Sequence, residues 1–266
     1  MRLTFPVLII ISWMTLACST LILSLHPDDL LLSRILAAPA GQAWLGYDDL
    51  GRSITDRVIM GARTSLYVSL CVTLLSLSLG TVFGVCAGWF GGWWDRLAVL
   101  VLDIFMAFPG ILLAIALAGL LGPGIMNAVM ALTVVGWVGF ARLARAQTLA
   151  VKQREHVTAA IALGTNTLHI ILRHLLPLIL APLIVEATFA IAGTVVAEAS
   201  LSFLGLGVQP PQASWGSMIR DGTRYMLVAP HMVLAPGVAV FLVVLSVNLL
   251  GDALRDRMDV RLQERP

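Results

Sequence analysis

Residues 154–164 read Arg-Glu-His-Val-Thr-Ala-Ala-Ile-Ala-Leu-Gly, and Leu176-Pro177 follows after residues 165–175. This segment is polar in a chain that otherwise consists mostly of long apolar runs. The side chains that make it polar are Arg154, Glu155, His156, His169, Arg173 and His174. A helix of this mixed character between two membrane spans requires a partner in water, because its polar face cannot lie in lipid.

The composition of the 266-residue chain is that of a polytopic membrane protein. The chain is 59% hydrophobic and 12% charged, with a mean hydropathy of +0.92, whereas globular proteins carry about 25% charged residues. The net charge of +2 is too small, and the basic residues are too dispersed, for nucleic-acid binding. The three cysteines are Cys18, Cys71 and Cys86. Their spacing is typical neither of a disulfide framework nor of a metal site, so we expect no metal site.

The apolar runs predict six transmembrane helices. Residues 1–25 form the first, because the run from Leu3 to Leu25 is long enough to cross about 30 Å of hydrocarbon. A cleaved signal peptide would have a shorter apolar core, so we expect this span to be retained. The other five spans lie in a core at residues 64–252, at about 64–88, 97–121, 125–141, 176–201 and 232–250.

Two polar intervals and a charged tail separate or follow these spans. In residues 26–63, Leu50, Ile54 and Val58 recur every four positions, which predicts an amphipathic helix at the membrane interface. An ordinary solvated loop is an equal alternative for residues 26–43. The second interval is the loop 205–231, and the tail covers residues 253–266.

Lysine and arginine are distributed unequally on the two sides of this arrangement. Eleven lie on the side of the termini and of segment 150–175, and six lie in the two polar intervals. The positive-inside rule therefore predicts that both termini and segment 150–175 are cytoplasmic. The intervals 26–63 and 205–231 are then periplasmic.

The second span carries small residues every four positions, namely Ser76, Gly80, Gly84 and Gly88. Such a ridge lets another helix approach the backbone closely. It fits either a dimer interface or an internal seam. We favour the internal seam, because a six-span chain offers many neighbouring helices.

The sequence lacks the motifs of an energy-converting enzyme. Nucleotide hydrolysis on a P-loop requires a lysine after a glycine-rich turn, but the only lysine is Lys152, between Val151 and Gln153. Protease, lipase and dinucleotide motifs are also missing. We therefore expect a non-catalytic chain that binds no cofactor itself.

Three carboxylates lie at membrane depth, where ionisable groups are costly and mark functional candidates: Asp103, Glu186 and Glu198. They could form a proton or cation relay, as in a secondary transporter. Glu186 and Glu198, however, are twelve residues apart, about 18 Å along a helix. We therefore favour separate pathway, gating or structural roles over one relay site.

Three histidines of the polar segment could suggest metal handling. His169 and His174 are five positions apart, which does not place them on one face of an α-helix. We therefore expect them, like His156, to be solvated or interfacial.

The polar segment resembles the cytoplasmic coupling motif of bacterial ABC importer permeases. In that motif Glu-Ala-Ala is followed by a glycine and then by Ile-x-Leu-Pro, and the matching positions are Ala159, Ala160, Gly164, Leu176 and Pro177. Thr158 stands in place of the glutamate, and His174 in place of the isoleucine. A salt bridge from position 158 is therefore not expected, and whether Glu155 substitutes for it stays open.

Other blocks are similar to the dipeptide, oligopeptide and nickel permeases, and together they cover residues 44–260. Trp44 to Ser53 matches the block WLGTDxxGRD except at Tyr47 and Ser53. The later blocks are residues 202–207, 209–211, 215–216 and 251–256.

This resemblance implies an all-α membrane protein with type I ABC importer permease architecture in the bacterial cytoplasmic (inner) membrane. The implied partners are a second homologous permease subunit, two ATPase subunits that bind ATP and Mg, and an extracytoplasmic substrate-binding protein. Short peptides are the expected substrate, with nickel or a metal chelate as the alternative. A proton-coupled secondary transporter, or a structural or receptor subunit, would be a different class of protein.

The resemblance also implies an ATPase-docking surface, formed by Arg154, Glu155, His156, Thr158, Ala159, Ala160, Leu163, Gly164 and Pro177. We expect Ala159, Ala160 and Leu163 to enter a cleft of the ATPase, with Arg154 and Glu155 at its rim. Glycine at 164 suits a sharp break between two short helices, and Pro177 suits the start of a span. If the two short helices move as one rigid body, they would transmit the closing motion of the ATPase subunits to the fifth span.

Overall fold

A computed structural model describes residues 4–41 and 43–258. Within these ranges the chain is helical, and its only β pairs are two isolated bridges. The helices are α1 (Thr4–Ser19), α2 (Ile54–Phe90), α3 (Gly92–Met106), α4 (Gly110–Leu121), α5 (Ile125–Lys152), α6 (Glu155–Ala162), α7 (Thr167–Ile170), α8 (Leu176–Phe203), α9 (Trp215–Thr223) and α10 (His231–Met258). The all-α fold class is confirmed.

Four helical segments are long and apolar enough to cross a membrane. They are α2, α5, α10 and a 37-residue helix, Thr167–Phe203, in which a π-helical turn joins α7 to α8. α3 and α4 together provide a fifth if the bent pair is one span, and α1 is apolar but has only 16 residues. Six transmembrane helices were predicted from the sequence, and the described residues contain four, or five with the bent pair; the shorter apolar helix α1 occupies the sixth predicted segment.

The first helix ends earlier than the predicted boundary at residue 25. Its last residue is Ser19, and the hydroxyls of Ser19 and Thr20 donate to the carbonyls of Leu16 and Ala17. Hydroxyl side chains that bond to the nearby backbone compete with helix continuation. Residues 1–3 of the predicted span, and residues 259–266 of the predicted tail, lie outside the described ranges.

The predicted third span is broken in the middle. α3 ends at Met106, α4 begins at Gly110, and their axes differ by 82°. The break lies at Pro109, which has no amide hydrogen and disfavours helical geometry at the preceding residue, Phe108. One face of α4 packs against the bundle through the buried Ala114 and Ala118, whereas its first residues, 110–112, are exposed.

The predicted interfacial helix does not form a separate element among the described residues of interval 26–63. Ile54 and Val58 belong to the first turns of α2, and Leu50 precedes that helix. Ser53 caps α2 by accepting a hydrogen bond from the amide of Asp56 at 3.3 Å. No proline follows before Phe90, so the amphipathic turns continue directly into the apolar span.

The small-residue ridge of α2 packs against α5 and is an internal seam, as favoured from the sequence. A Cβ atom at Gly80 or Gly84 would lie less than 3.0 Å from backbone atoms of Trp137 or Ala141. At Gly88 it would meet the Thr148 side chain at 2.9 Å. Glycine is required here because the two backbones are in direct contact.

Candidate coupling surface and translocation cleft

The polar segment forms α6, which has one buried and one exposed face. Val157 is fully buried and Ala160 is only 8% exposed, in a cluster that includes Val151, Ile170 and Leu175. The side chains that face outward are Arg154, Glu155, His156, Thr158, Ala159 and Leu163. The expectation that Ala160 enters a partner's cleft is therefore corrected, because that side chain packs inside its own chain, one helical turn from Val157.

A tight turn at Gly164 ends this helix. Gly164 has a φ of +75°, and its amide donates to the carbonyl of Ile161 at 3.0 Å. The amide of Thr165 donates to the carbonyl of Ala160 at 3.1 Å, which completes a Schellman motif. The turn leaves Leu163 85% exposed, and Asn166 caps α7 through the amide of Leu168. The predicted break at Gly164 is present.

Pro177 does not interrupt the chain at the point where a new span was expected. The residues from Thr167 to Phe203 are continuously helical, with a π-helical turn at Ile171–Leu175. Pro177 has no amide to donate to the carbonyl four residues earlier, and a change of hydrogen-bond register upstream accommodates this loss. A single helical rod, Thr167–Phe203, therefore joins the end of the candidate coupling segment, residues 150–175, to α8.

Cation contacts fix the base of the coupling segment. The ammonium of Lys152 donates to the carbonyl of Trp89 and lies 5.3 Å from the centroid of its ring. The guanidinium of Arg145 pairs with the carboxylate of Asp95 through two bonds of 2.5 and 2.7 Å. α5 is thus tied to α2 and α3 just before α6 begins.

Thr158 lies at the position where the coupling motif of ABC importer permeases has a glutamate, and it does not supply a carboxylate there. Its hydroxyl donates to the backbone carbonyl of Glu155 at 2.9 Å, within the same helix. The carboxylate of Glu155 forms no ion pair with any residue in the described ranges. It is therefore free to meet a cation of a partner.

The three histidines of the segment meet, which their spacing did not indicate. The ring of His174 lies 6.3 Å from that of His156 and 6.1 Å from that of His169, between centroids. A π-helical turn joins residues five apart by hydrogen bonds. Positions 169 and 174, which point in different directions on an α-helix, are therefore brought closer together here. Within residues 4–41 and 43–258, no cluster of three or more His, Cys, Asp or Glu is arranged to hold a metal ion.

The three candidate carboxylates occupy three different environments. Asp103 is exposed on α3, and Glu186 is half-buried on α8 at the wall of a cleft. Glu198 is buried, and its Oε1 accepts a hydrogen bond from the Ser202 hydroxyl at 2.7 Å. That hydroxyl accepts in turn from the amide of Val208 at 3.1 Å. Glu198 therefore anchors the loop after α8.

The cleft beside Glu186 has a volume of about 310 Å³ and is bounded by α2, α4, α5 and α8. Its lining is mostly small or aliphatic, and its polar members are Thr73, Ser76, Glu186 and Thr194. Sequence reasoning identified Glu186 but missed Thr73 and Thr194, because a single hydroxyl in an apolar run carries no periodic signal. The cleft could accept a small solute at the depth of the membrane.

A buried ion-pair network fastens the interval before α2. The carboxylate of Asp48 lies 2.7 Å from Nε of Arg52 and 3.5 Å from Nε of Arg57, and all three side chains are buried. Asp48 also accepts from the backbone amides of Leu50 and Arg52. Burial, together with the negative charge of Asp48, raises the pKa of the neighbouring Asp49. The network ties residues 48–57 into one platform at the start of α2.

The sequence of the chain is similar to those of known transport proteins. The family model of the binding-protein-dependent transport system inner membrane component matches residues 80–263. The glutathione transport system permease protein GsiD of Pectobacterium atrosepticum is 42% identical over 230 residues, which cover 86% of this chain and 76% of that protein. GsiD of Escherichia coli O1:K1 is 43% identical over 225 residues, or 85% and 74%.

The fold is also similar to a solved structure. A chain of the inward-facing MetNI methionine ABC transporter, in its CY5 native crystal form, superposes with a TM-score of 0.55 at 21% identity. The superposition covers 72% of this chain and 93% of that one. The chain thus belongs to the family of binding-protein-dependent transport system inner membrane components: it is a non-catalytic, multi-pass inner-membrane permease subunit of an ABC importer, which works with separate ATPase and substrate-binding partners.

Proposed function

We propose that this permease imports short peptides by alternating access. It pairs with a second, homologous permease subunit, two ATPase subunits that carry ATP and Mg, and an extracytoplasmic binding protein. Its termini and coupling segment lie in the cytoplasm. The intervals before α2 and after α8 form the docking side for the binding protein.

The observation that carries the docking proposal is the two-faced geometry of α6. The exposed side chains of Thr158, Ala159 and Leu163 form the docking face, and Arg154 and Glu155 flank it. The opposite face is fixed in the core of the chain. Because burial of an apolar side chain is favourable, an ATPase cleft that covers Leu163 would bind this face and move α6 as a rigid unit.

The route from the docking face to the cleft is short and helical. α6 packs on the rod Thr167–Phe203. Gly164 forms the turn between α6 and this rod, and Pro177 lies near the π-helical turn. The same rod carries Glu186 at the wall of the cleft. A tilt imposed at α6 would therefore change the width of the cleft, as expected for a rigid-body switch.

The proposal of a peptide substrate rests on two observations. Two of the relatives are named as glutathione permeases, and glutathione is a tripeptide. The volume of the cleft, about 310 Å³, lies at the small end of the range for ligand sites. No comparable observation favours nickel.

The test is reconstitution of the complete transporter in proteoliposomes, with uptake of glutathione, a dipeptide and Ni²⁺ measured in parallel. We expect accumulation of at least one peptide that depends on both ATP and the binding protein. Uptake of Ni²⁺ without uptake of either peptide would refute the substrate proposal. Uptake driven by a pH gradient without the ATPase would refute the coupling proposal.

A further inference from the structure

We infer that the cleft between α2, α4, α5 and α8 contains a subsite for a primary ammonium group, with Glu186 as its anionic partner. The ligand class is the free amino terminus of a short peptide. This inference rests on the proposed function and gives the permease itself a part in recognising its substrate.

The first observation is that Glu186 lacks a protein partner. No Lys, Arg or His within residues 4–41 and 43–258 forms an ion pair with its carboxylate. Glu186 is the eleventh residue of the 28-residue helix α8, about 15 Å from its start, and therefore lies near the middle of the span. An ionisable group at this depth is costly unless it pairs with another group or faces an aqueous path.

The second observation concerns two hydroxyls of α2 in the same cleft. Thr73 and Ser76 are 4% and 1% exposed, and neither hydroxyl has a hydrogen-bond partner among the described residues. Nearly all buried polar atoms in proteins are hydrogen-bonded, so two unpaired hydroxyls in one cleft wall leave hydrogen-bonding capacity that a polar ligand can use. Position 136 must be small beside this hydroxyl, because a Cβ at Gly136 would lie 2.8 Å from the Ser76 oxygen.

The chemistry of these groups selects a cation that donates hydrogen bonds. A carboxylate accepts hydrogen bonds and carries negative charge, and hydroxyl oxygens accept as well. A primary ammonium has three donors and no acceptor, so it can satisfy one carboxylate and two hydroxyls together. An anion would instead be repelled by Glu186.

The mouth of the cleft is open to a ligand. Gly110, Gly136 and Gly193 line it and are exposed. A Cβ at Gly193 would meet nothing within 4 Å. Cysteine at this position is therefore accommodated and reports on occupancy of the cleft through its rate of reaction with a maleimide.

The experiment uses the assembled transporter with Cys18, Cys71 and Cys86 replaced by alanine and with Gly193→Cys. The probes are triglycine and N-acetyl-triglycine, which differ in the charge of the amino terminus. We expect triglycine to slow labelling of position 193 by about threefold or more, and N-acetyl-triglycine to leave the rate unchanged. Glu186→Gln should weaken the protecting affinity for triglycine about tenfold or more, because a charge-assisted hydrogen bond is lost.

Asp103→Asn is the matched control, since it neutralises a carboxylate on α3 that does not line the cleft. We expect protection by triglycine to persist in this variant. Equal protection by the two peptides, no protection, or full protection in Glu186→Gln would overturn the inference. An unchanged labelling rate of Glu186→Gln without peptide shows that the cleft itself is intact. Peptide uptake by the wild type tests the proposed function separately.

Discussion

Replacing Leu163 with alanine tests whether the exposed face of α6 docks on the ATPase. Full burial of a leucine side chain is worth about 1.5–3 kcal/mol. Leu163 is 85% exposed, so a partner that covers it completely would gain about 1.3–2.5 kcal/mol, equivalent to a tenfold to seventyfold change in affinity. The fold of the chain should be unaffected, because the side chain touches little of its own protein.

The assay is the concentration of ATPase subunits needed to assemble with the purified permease, read by fluorescence anisotropy in detergent. Leu120→Ala in α4 is the matched control, since that leucine is also 85% exposed but lies outside the coupling segment. We expect Leu163→Ala to raise the half-saturating concentration at least about tenfold, and Leu120→Ala to leave it within about twofold. Equal effects of the two changes, or wild-type assembly of Leu163→Ala, would refute the docking face.

Three further outcomes are expected. Gly84→Ala should lower the midpoint of thermal unfolding, because overpacking at the α2–α5 backbone contact costs about 1–3 kcal/mol. Gly119→Ala should not lower it, because a Cβ at that position meets nothing within 4 Å, and equal midpoints for the two variants would contradict the internal seam. Gly164→Pro should abolish ATPase stimulation by loaded binding protein while membrane insertion persists, and retained coupled transport would argue against rigid-body transmission from the coupling segment. Asp48→Ala should cost about 3–5 kcal/mol, because it removes the nearest carboxylate of the buried Arg52, and limited proteolysis before α2 should then accelerate; an unchanged digestion rate would contradict the platform.

The spans were predictable because a bilayer imposes a minimum length on apolar helices. A run such as residues 232–250 is recognisable from composition alone, and α10 contains it entirely. The seam of Gly80 and Gly84 was likewise predictable, because close backbone contact demands the smallest residue. Features of this kind can be predicted from the sequence, because they depend on the length and the residue types of one segment.

Features that depend on tertiary packing were not predictable. The inward orientation of Ala160 follows from the position of α6 on the bundle, which the motif alone does not contain. The meeting of His169 and His174 depends on a π-helical turn near Pro177, a departure that α-helical periodicity excludes. The cleft combines side chains from four helices, and no short pattern links Thr73 with Glu186.

The exposed position of Leu163 has a consequence for the unassembled subunit. Until a partner binds, the turn at Gly164 leaves the apolar side chain of Leu163 exposed. Exposed apolar surface of this kind is what chaperones and proteases act on when they remove unpaired chains. The proposed docking residue would therefore also shorten the lifetime of any permease made in excess of the ATPase. This would help the cell to match the amounts of the two subunits.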